Sequence, residues 1–166
     1  SLAISACGEM PQNANGGQAG DHPNPVEHTP SGPRACDGNY MVDSNDTAGD
    51  LATLAECTSI SGNLTIEGTD LSSLEALTAL ESVGGNLKIY FNDALTSLQG
   101  LENLTSISEG LSVSGNASLT NLQGLNNITS LGAALAIDGN RVLASLEGLN
   151  ALTSVKGEAH ILYNHS

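Results

Sequence analysis

The chain has 166 residues, of which 39% are hydrophobic but only 2% are aromatic, and it carries 4 basic against 18 acidic residues. Its net charge of −14 repels polyanions, which excludes nucleic acids and anionic lipid headgroups as partners. Without large aromatic anchors, the core must consist of leucine, isoleucine, valine and alanine, and such a core suits narrow, regular layers.

The first seven residues, SLAISAC, have two interpretations. Apolar and small residues before Cys7 resemble the end of the lipobox of a bacterial lipoprotein signal peptide, which would make Cys7 the lipidated first residue of the mature chain. Alternatively, the segment is an L-x-I strand that a neighbouring sheet edge could accept. The state of Cys7 stays open among lipidated, free and joined to another chain by a disulfide.

Residues 8–35 contain all five prolines of the chain, with several glycine and asparagine residues and no apolar periodicity. This composition predicts an extended amino-terminal tail that does not fold alone. His22 and His28 lie in it and are interpreted as solvated residues rather than metal ligands. Under the lipobox interpretation, residues 8–35 are a linker that holds the folded domain away from a membrane.

The stretch DGNYMVDSNDTAGD, residues 37–50, precedes a predicted short helix around Asp46–Ala55. Either Ser44 or Asp46 would serve as its N-cap. The oxygen-rich side chains loosely resemble a calcium loop, but the glycine and the final glutamate that such a loop needs are out of place. We therefore predict no metal site and no cofactor.

From residue 62 the chain repeats, mostly with a period of 24 residues. Each copy begins with an L-x-I strand and continues with apolar residues three positions apart, as at Leu95, Leu98 and Leu101. A spacing of three does not fit a helix of 3.6 residues per turn, but it suits a coil whose sides each point one residue inward. The pattern predicts a mainly β solenoid, residues 36–166, with a single strand per turn. The copies are 62–83, 85–107, 110–131, 134–155 and a partial copy at 158–166.

An asparagine follows the strand of most copies, at Asn92, Asn116, Asn140 and Asn164. We predict that these residues form a structural ladder, because a side-chain amide can satisfy backbone groups of a neighbouring turn. Thr69 takes this position in the first copy.

The outward side of the stacked strands is the candidate binding surface. Its residues are mostly small and weakly charged, and they could contact a protein or glycan partner or another copy of the chain. The predicted binding residues are Thr65, Glu67, Lys88, Tyr90, Ser112, Ser114, Asp138 and His160.

These features resemble the receptor L-domain family. Its pattern of a cysteine, a short strand, a helix, a second cysteine and T-x-I-x-G-x-L-x-I is matched by Cys36, Tyr40–Val42, the helix, Cys57 and Thr58–Ile66. The blocks of the form L-x-x-L-x-G-L-x-x-L-x-x-I that follow match bacterial members, so the resemblance covers about residues 36–166.

The resemblance implies a right-handed β-solenoid related to leucine-rich repeats, with the short helix as an amino-terminal cap. It also implies a disulfide between Cys36 and Cys57, which would place the protein in an oxidising compartment. Members usually continue into a carboxy-terminal cap, whereas this sequence stops after its fifth strand.

No catalytic motif is present in the sequence, and we predict that the chain is not an enzyme. The leading prediction is a binding or adhesion module at the bacterial outer membrane or cell surface, or outside the cell, tethered by a lipid on Cys7. The alternative is a self-assembling subunit of an extracellular filament or tube, in which the strand in residues 1–7 pairs head to tail with the open end of the solenoid.

Overall fold

A computed structural model describes residues 34–164. The segment 1–7 with Cys7, the linker as far as residue 33, and residues 165–166 lie outside the described residues. The elements are β1 Arg34–Cys36, β2 Tyr40–Val42, α1 Thr47–Leu54, β3 Cys57–Ile60, β4 Leu64–Glu67, a 3-10 turn Glu75–Leu77, β5 Ser82–Val83, β6 Leu87–Tyr90, β7 Ser106–Ile107, β8 Leu111–Ser114, β9 Ser130–Leu131, β10 Leu135–Asp138, β11 Ser154–Val155 and β12 Ala159–Leu162.

The strands form two parallel sheets of six strands each. The first sheet has the order β2-β4-β6-β8-β10-β12, and the second has the order β1-β3-β5-β7-β9-β11. Because every turn of the chain adds one strand to each sheet, the predicted mainly β solenoid is confirmed. The single strand per turn is corrected to two, since a short strand at the end of each repeat forms the second sheet. Arg34 and Ala35, which the sequence assigned to the linker, belong to β1.

The core is one aliphatic column between the two sheets. The apolar residues spaced by three in the second repeat are all buried there, with Leu95, Leu98, Leu101 and Leu104 fully inaccessible to solvent. The strand residues Leu87 and Ile89 are also fully buried. One repeat alone has no interior, so its apolar side chains leave water only when the neighbouring repeats stack on it.

Helix α1 lies in the first turn of the solenoid, where the sequence predicted a helix. Asp46 is its N-cap, and one carboxylate oxygen accepts a hydrogen bond from the backbone N–H of Gly49 at 3.3 Å. Asp43 accepts two hydrogen bonds from Asn45, so part of the oxygen-rich stretch stabilises its own loop. The buried side chain of Leu54 anchors the helix to the core.

The disulfide between Cys36 and Cys57, implied by the resemblance, is confirmed. It joins β1 to β3 with 5.7 Å between the Cα atoms, and the two cysteines are 21 positions apart in the chain. The closed segment contains β2 and α1, the most irregular part of the solenoid. Closing a loop of this length stabilises a fold by about 3 kcal/mol.

A column of glycines lets successive turns stack closely. Gly124 has a φ of 118°, and a Cβ atom built on it would lie 2.0 Å from the carbonyl oxygen of Leu98 in the preceding repeat. Gly100 and Gly148 stand in equivalent places, with a similar clash against the preceding repeat. These positions therefore have no space for any side chain.

Candidate functional site

The predicted binding residues lie on the outward side of the first sheet. Backbone pairing sets Thr65 beside Lys88 and Lys88 beside Ser112, and it sets Ala136 beside His160. Because successive side chains of a strand point to opposite sides of the sheet, the second outward row lies two residues further along each strand. The structure thus brings the predicted residues together in two rows, here named the strand face: Thr65, Lys88, Ser112, Ala136 and His160 in the first row, and Glu67, Tyr90, Ser114, Asp138 and Leu162 in the second.

The strand face is flat and mixed in charge. Most of its side chains are half-buried by their neighbours, and His160 is exposed at the β12 edge. Its Nε2 atom lies 3.0 Å from a carboxylate oxygen of Glu158. The carboxylate of Asp138 accepts a hydrogen bond from the backbone N–H of Leu162 at 3.1 Å, which ties adjacent strands together. Met41, 51% exposed, extends the first row onto β2.

Sequence reasoning missed an aromatic residue next to the strand face. Phe91 directly follows β6, is 62% exposed, and lies with its ring centroid 6.4 Å from that of Tyr90. Its φ is 53°, in the left-handed region that costs a non-glycine residue about 1 kcal/mol. Three other repeats have Gly68, Gly115 and Gly139 at the equivalent position, and the partial last copy has Tyr163, all with positive φ. The signal in the sequence was a phenylalanine in a column of glycines.

A groove of about 410 Å³ opens beside Phe91. It is lined by Phe91, Asp93, Gly115, Ala117, Gly139 and Arg141. The Phe91 ring packs so closely on Gly115 that a Cβ atom there would come within 2.6 Å of the ring. The groove therefore has one aromatic wall, a glycine floor, and one acidic and one basic residue.

The asparagine ladder lies directly behind the groove. Asn92, Asn116 and Asn140 are fully buried. The Oδ1 atom of Asn116 accepts hydrogen bonds from the backbone and side-chain N–H groups of Asn92 at 3.0 and 3.1 Å. Its Nδ2 atom donates to the Ile89 carbonyl and to Oδ1 of Asn140. Asn164 accepts in the same way from Asn140. These amides hold the groove floor at a fixed spacing and are not free to bind a ligand.

A second asparagine ladder, which the sequence reasoning did not identify, precedes the long strands. Asn63 donates from its backbone and side chain to Oδ1 of Asn39, and Asn86 does the same to Asn63. The repeated Gly-Asn pairs at 38–39, 62–63 and 85–86 were its signal. Strands β4 and β6 are thus fixed at both ends, by Asn63 and Asn86 before them and by Thr69 and Asn92 after them.

Two negative findings apply to residues 34–164. No cluster of three or more His, Cys, Asp or Glu side chains is arranged to hold a metal ion within this part of the chain. Among the same residues, no helix has the length and apolar character needed to span a membrane.

Comparison with known proteins adds one match. Residues 56–120 match the family model described as Receptor L domain. Comparison with curated proteins and with solved structures finds no match. The matched segment runs from the end of α1 through β8 and into the third repeat, so it includes part of both sheets. The sequence match over residues 56–120 and the parallel β-solenoid both fit the receptor L-domain family that the sequence resembles.

Proposed function

We propose that this protein is a non-enzymatic binding or adhesion module of a bacterial cell surface, and that the strand face is its docking surface. The observation that carries the proposal is Phe91, exposed beside the strand face in a backbone conformation that glycine adopts in other repeats. Strain of this kind concentrates at functional sites, because selection for stability alone would remove it. The family match supports binding rather than catalysis.

The docking surface is tested by a bulky charge in the centre of the first row. We expect Ser112→Arg to weaken binding of the labelled protein to its target cells about tenfold or more, because it adds a long, solvated side chain to a flat surface. Flow cytometry over a concentration series measures the change in affinity.

Ser106→Arg is the matched control, because Ser106 is an exposed serine in β7 of the second sheet and the charge change is identical. This variant should bind within about twofold of the unmodified chain. An equal loss of affinity in both variants would show that the added positive charge, wherever it lies, weakens attachment, and that the strand face is not the docking surface. Self-association without any target, lost when residues 1–6 are deleted, would instead favour the filament subunit, for which the exposed Ile161 and Leu162 of β12 offer an apolar contact.

We further propose that a lipid on Cys7 tethers the module and that residues 8–33, which precede β1, act as the spacer. The disulfide supports this location, since such bonds persist in oxidising compartments outside the cytosol. Mass spectrometry of the protein from its native membrane fraction should find a diacylglycerol thioether on Cys7. An unmodified Cys7 thiol in that fraction would exclude the lipid tether.

A further inference from the structure

We propose that the groove beside Phe91, continued one turn further to Tyr163, binds a short, uncharged oligosaccharide that lies along the solenoid axis across Gly115 and Gly139. The inference rests on the proposed binding function and gives it a ligand class. It concerns the edge of the strand face rather than the rows themselves, so the two can be tested separately.

Phe91, which lines the groove, and Tyr163, one turn beyond its lining residue Gly139, share an unusual feature. Among residues 34–164, Phe91 and Tyr163 are the non-glycine residues with positive φ, at 53° and 57°. Both are aromatic, and they are 62% and 78% exposed. They occupy one column of the solenoid, since the pairing of Asp138 with Leu162 places Tyr163 one turn beyond Gly139. Two solvated rings held in an unfavourable backbone conformation are surfaces for stacking on a ligand.

The floor between the rings is bare backbone. Gly115 and Gly139 fill the two intervening turns; the Phe91 ring lies against Gly115, and the backbone of Gly139 stays open between that ring and Tyr163. Three strand spacings separate the two aromatic positions, which corresponds to about 14 Å. A short sugar chain covers this distance, and its flat C–H faces pack on aromatic rings. The absence of Cβ atoms lets such a ligand approach the backbone closely.

The polar lining suits hydroxyl groups. Asp93 offers carboxylate oxygens that accept hydrogen bonds, and Arg141 offers guanidinium N–H groups that donate them. One acid and one base leave the groove without a strong charge of its own. The chain as a whole carries −14, which disfavours uronic acid or sulfated sugars.

A peptide strand fits this groove less well. Peptides usually dock on sheets by pairing with free backbone groups. Here the N–H of Gly115 already donates to the Asp138 carbonyl at 2.9 Å, and the N–H of Gly139 donates to the Leu162 carbonyl at 3.0 Å. Recognition must therefore use ring faces and the two charged side chains, which is the chemistry of sugar binding.

The test is a titration of the full chain, ¹⁵N-labelled, with tetrasaccharides of glucose, xylose and N-acetylglucosamine. We expect at least one of them to bind and to shift the backbone amide signals of Gly115 and Gly139. Phe91→Gly should weaken this binding at least about tenfold, because aromatic contacts dominate small interfaces. The same variant should keep or raise the Tm, since glycine adopts a positive φ without strain and is the residue of three other repeats at this position.

Met41→Ala is the control, because Met41 is similarly exposed on the same sheet but lies on β2, outside the groove. It should leave sugar affinity unchanged within about twofold. The inference is overturned if none of the three sugars shifts the two glycine signals, or if a tetragalacturonate binds more tightly than all of them. It is also overturned if Phe91→Gly leaves sugar affinity unchanged within about twofold. None of these results touches the Ser112→Arg comparison, which tests docking on the strand face.

Discussion

Gly124→Ala is expected to lower the free energy of unfolding by about 4 kcal/mol or more, enough to unfold a solenoid of ordinary stability. The new Cβ atom would lie 2.0 Å from the Leu98 carbonyl oxygen. That oxygen belongs to the backbone of the preceding repeat, so it cannot move without separating two stacked turns. The φ of 118° adds strain of its own. Urea unfolding followed by circular dichroism measures the loss.

The matched control is Gly68→Ala. Gly68 also has a positive φ, of 65°, but no atom lies within 4 Å of the position of its Cβ. Only the backbone conformation is penalised there, so the expected loss is about 1 kcal/mol. Similar losses of unfolding free energy at both sites would mean that the positive φ alone sets the cost of the substitution. The close stacking at Gly124 would then make no contribution to it.

Asn116→Ala is expected to cost about 3 kcal/mol or more, because it leaves several buried polar groups without partners. The backbone and side-chain N–H groups of Asn92 lose their shared acceptor, and the Ile89 carbonyl loses its donor. All three lie where water does not reach, since Asn92 and Ile89 are fully buried. The same unfolding experiment measures the effect, and the variant should unfold at a lower urea concentration with little change in slope.

Asn63→Ala provides the comparison for the ladder. Asn63 makes the same kind of hydrogen bonds to Asn39 and Asn86, but its side chain is only half-buried. Water can replace the lost partners there, so we expect a cost of about 1 kcal/mol. A cost as large as that of Asn116→Ala would argue against desolvation as the source of the effect.

The repeat period made most of the architecture predictable. Positions 24 apart had to be equivalent, so a strand at Leu111–Ser114 implied strands in the neighbouring repeats, and the alternation of Leu111 and Val113 fixed their inward side. The same alignment placed Tyr90 and Ser114 in one outward row. The burial of Leu95, Leu98 and Leu101 followed from their spacing of three.

The second sheet escaped prediction for a physical reason. Its middle strands, such as Ser106–Ile107, have only two residues, too few to show any alternation of polar and apolar side chains. Such strands exist because the neighbouring turn supplies their hydrogen-bond partners, and a single repeat does not encode that. The Gly-Asn ladder was missed because it stops at Gly110, so its period is carried by only three of the six long strands.

The groove was missed for the opposite reason, since the informative residues break the repeat instead of following it. Phe91 takes a position that Gly68, Gly115 and Gly139 hold in other repeats, and a left-handed φ there is visible only once the backbone is known. Arg141 and Asp93 occupy the same column as Ala117, so no common property linked them in the sequence. In this chain, the residues that line the groove are therefore those at which the repeats differ from one another.

The asparagine ladder also makes the solenoid modular. Because each asparagine bonds to its successor by the same pair of contacts, Asn92 could join Asn140 directly if residues 110–133 were removed. The rings of Phe91 and Tyr163 would then lie about 4.8 Å closer together, and Asp93 and Arg141 would remain in the groove. Gain or loss of whole repeats by recombination within the gene would thus lengthen or shorten the proposed ligand site in equal steps, without any point mutation.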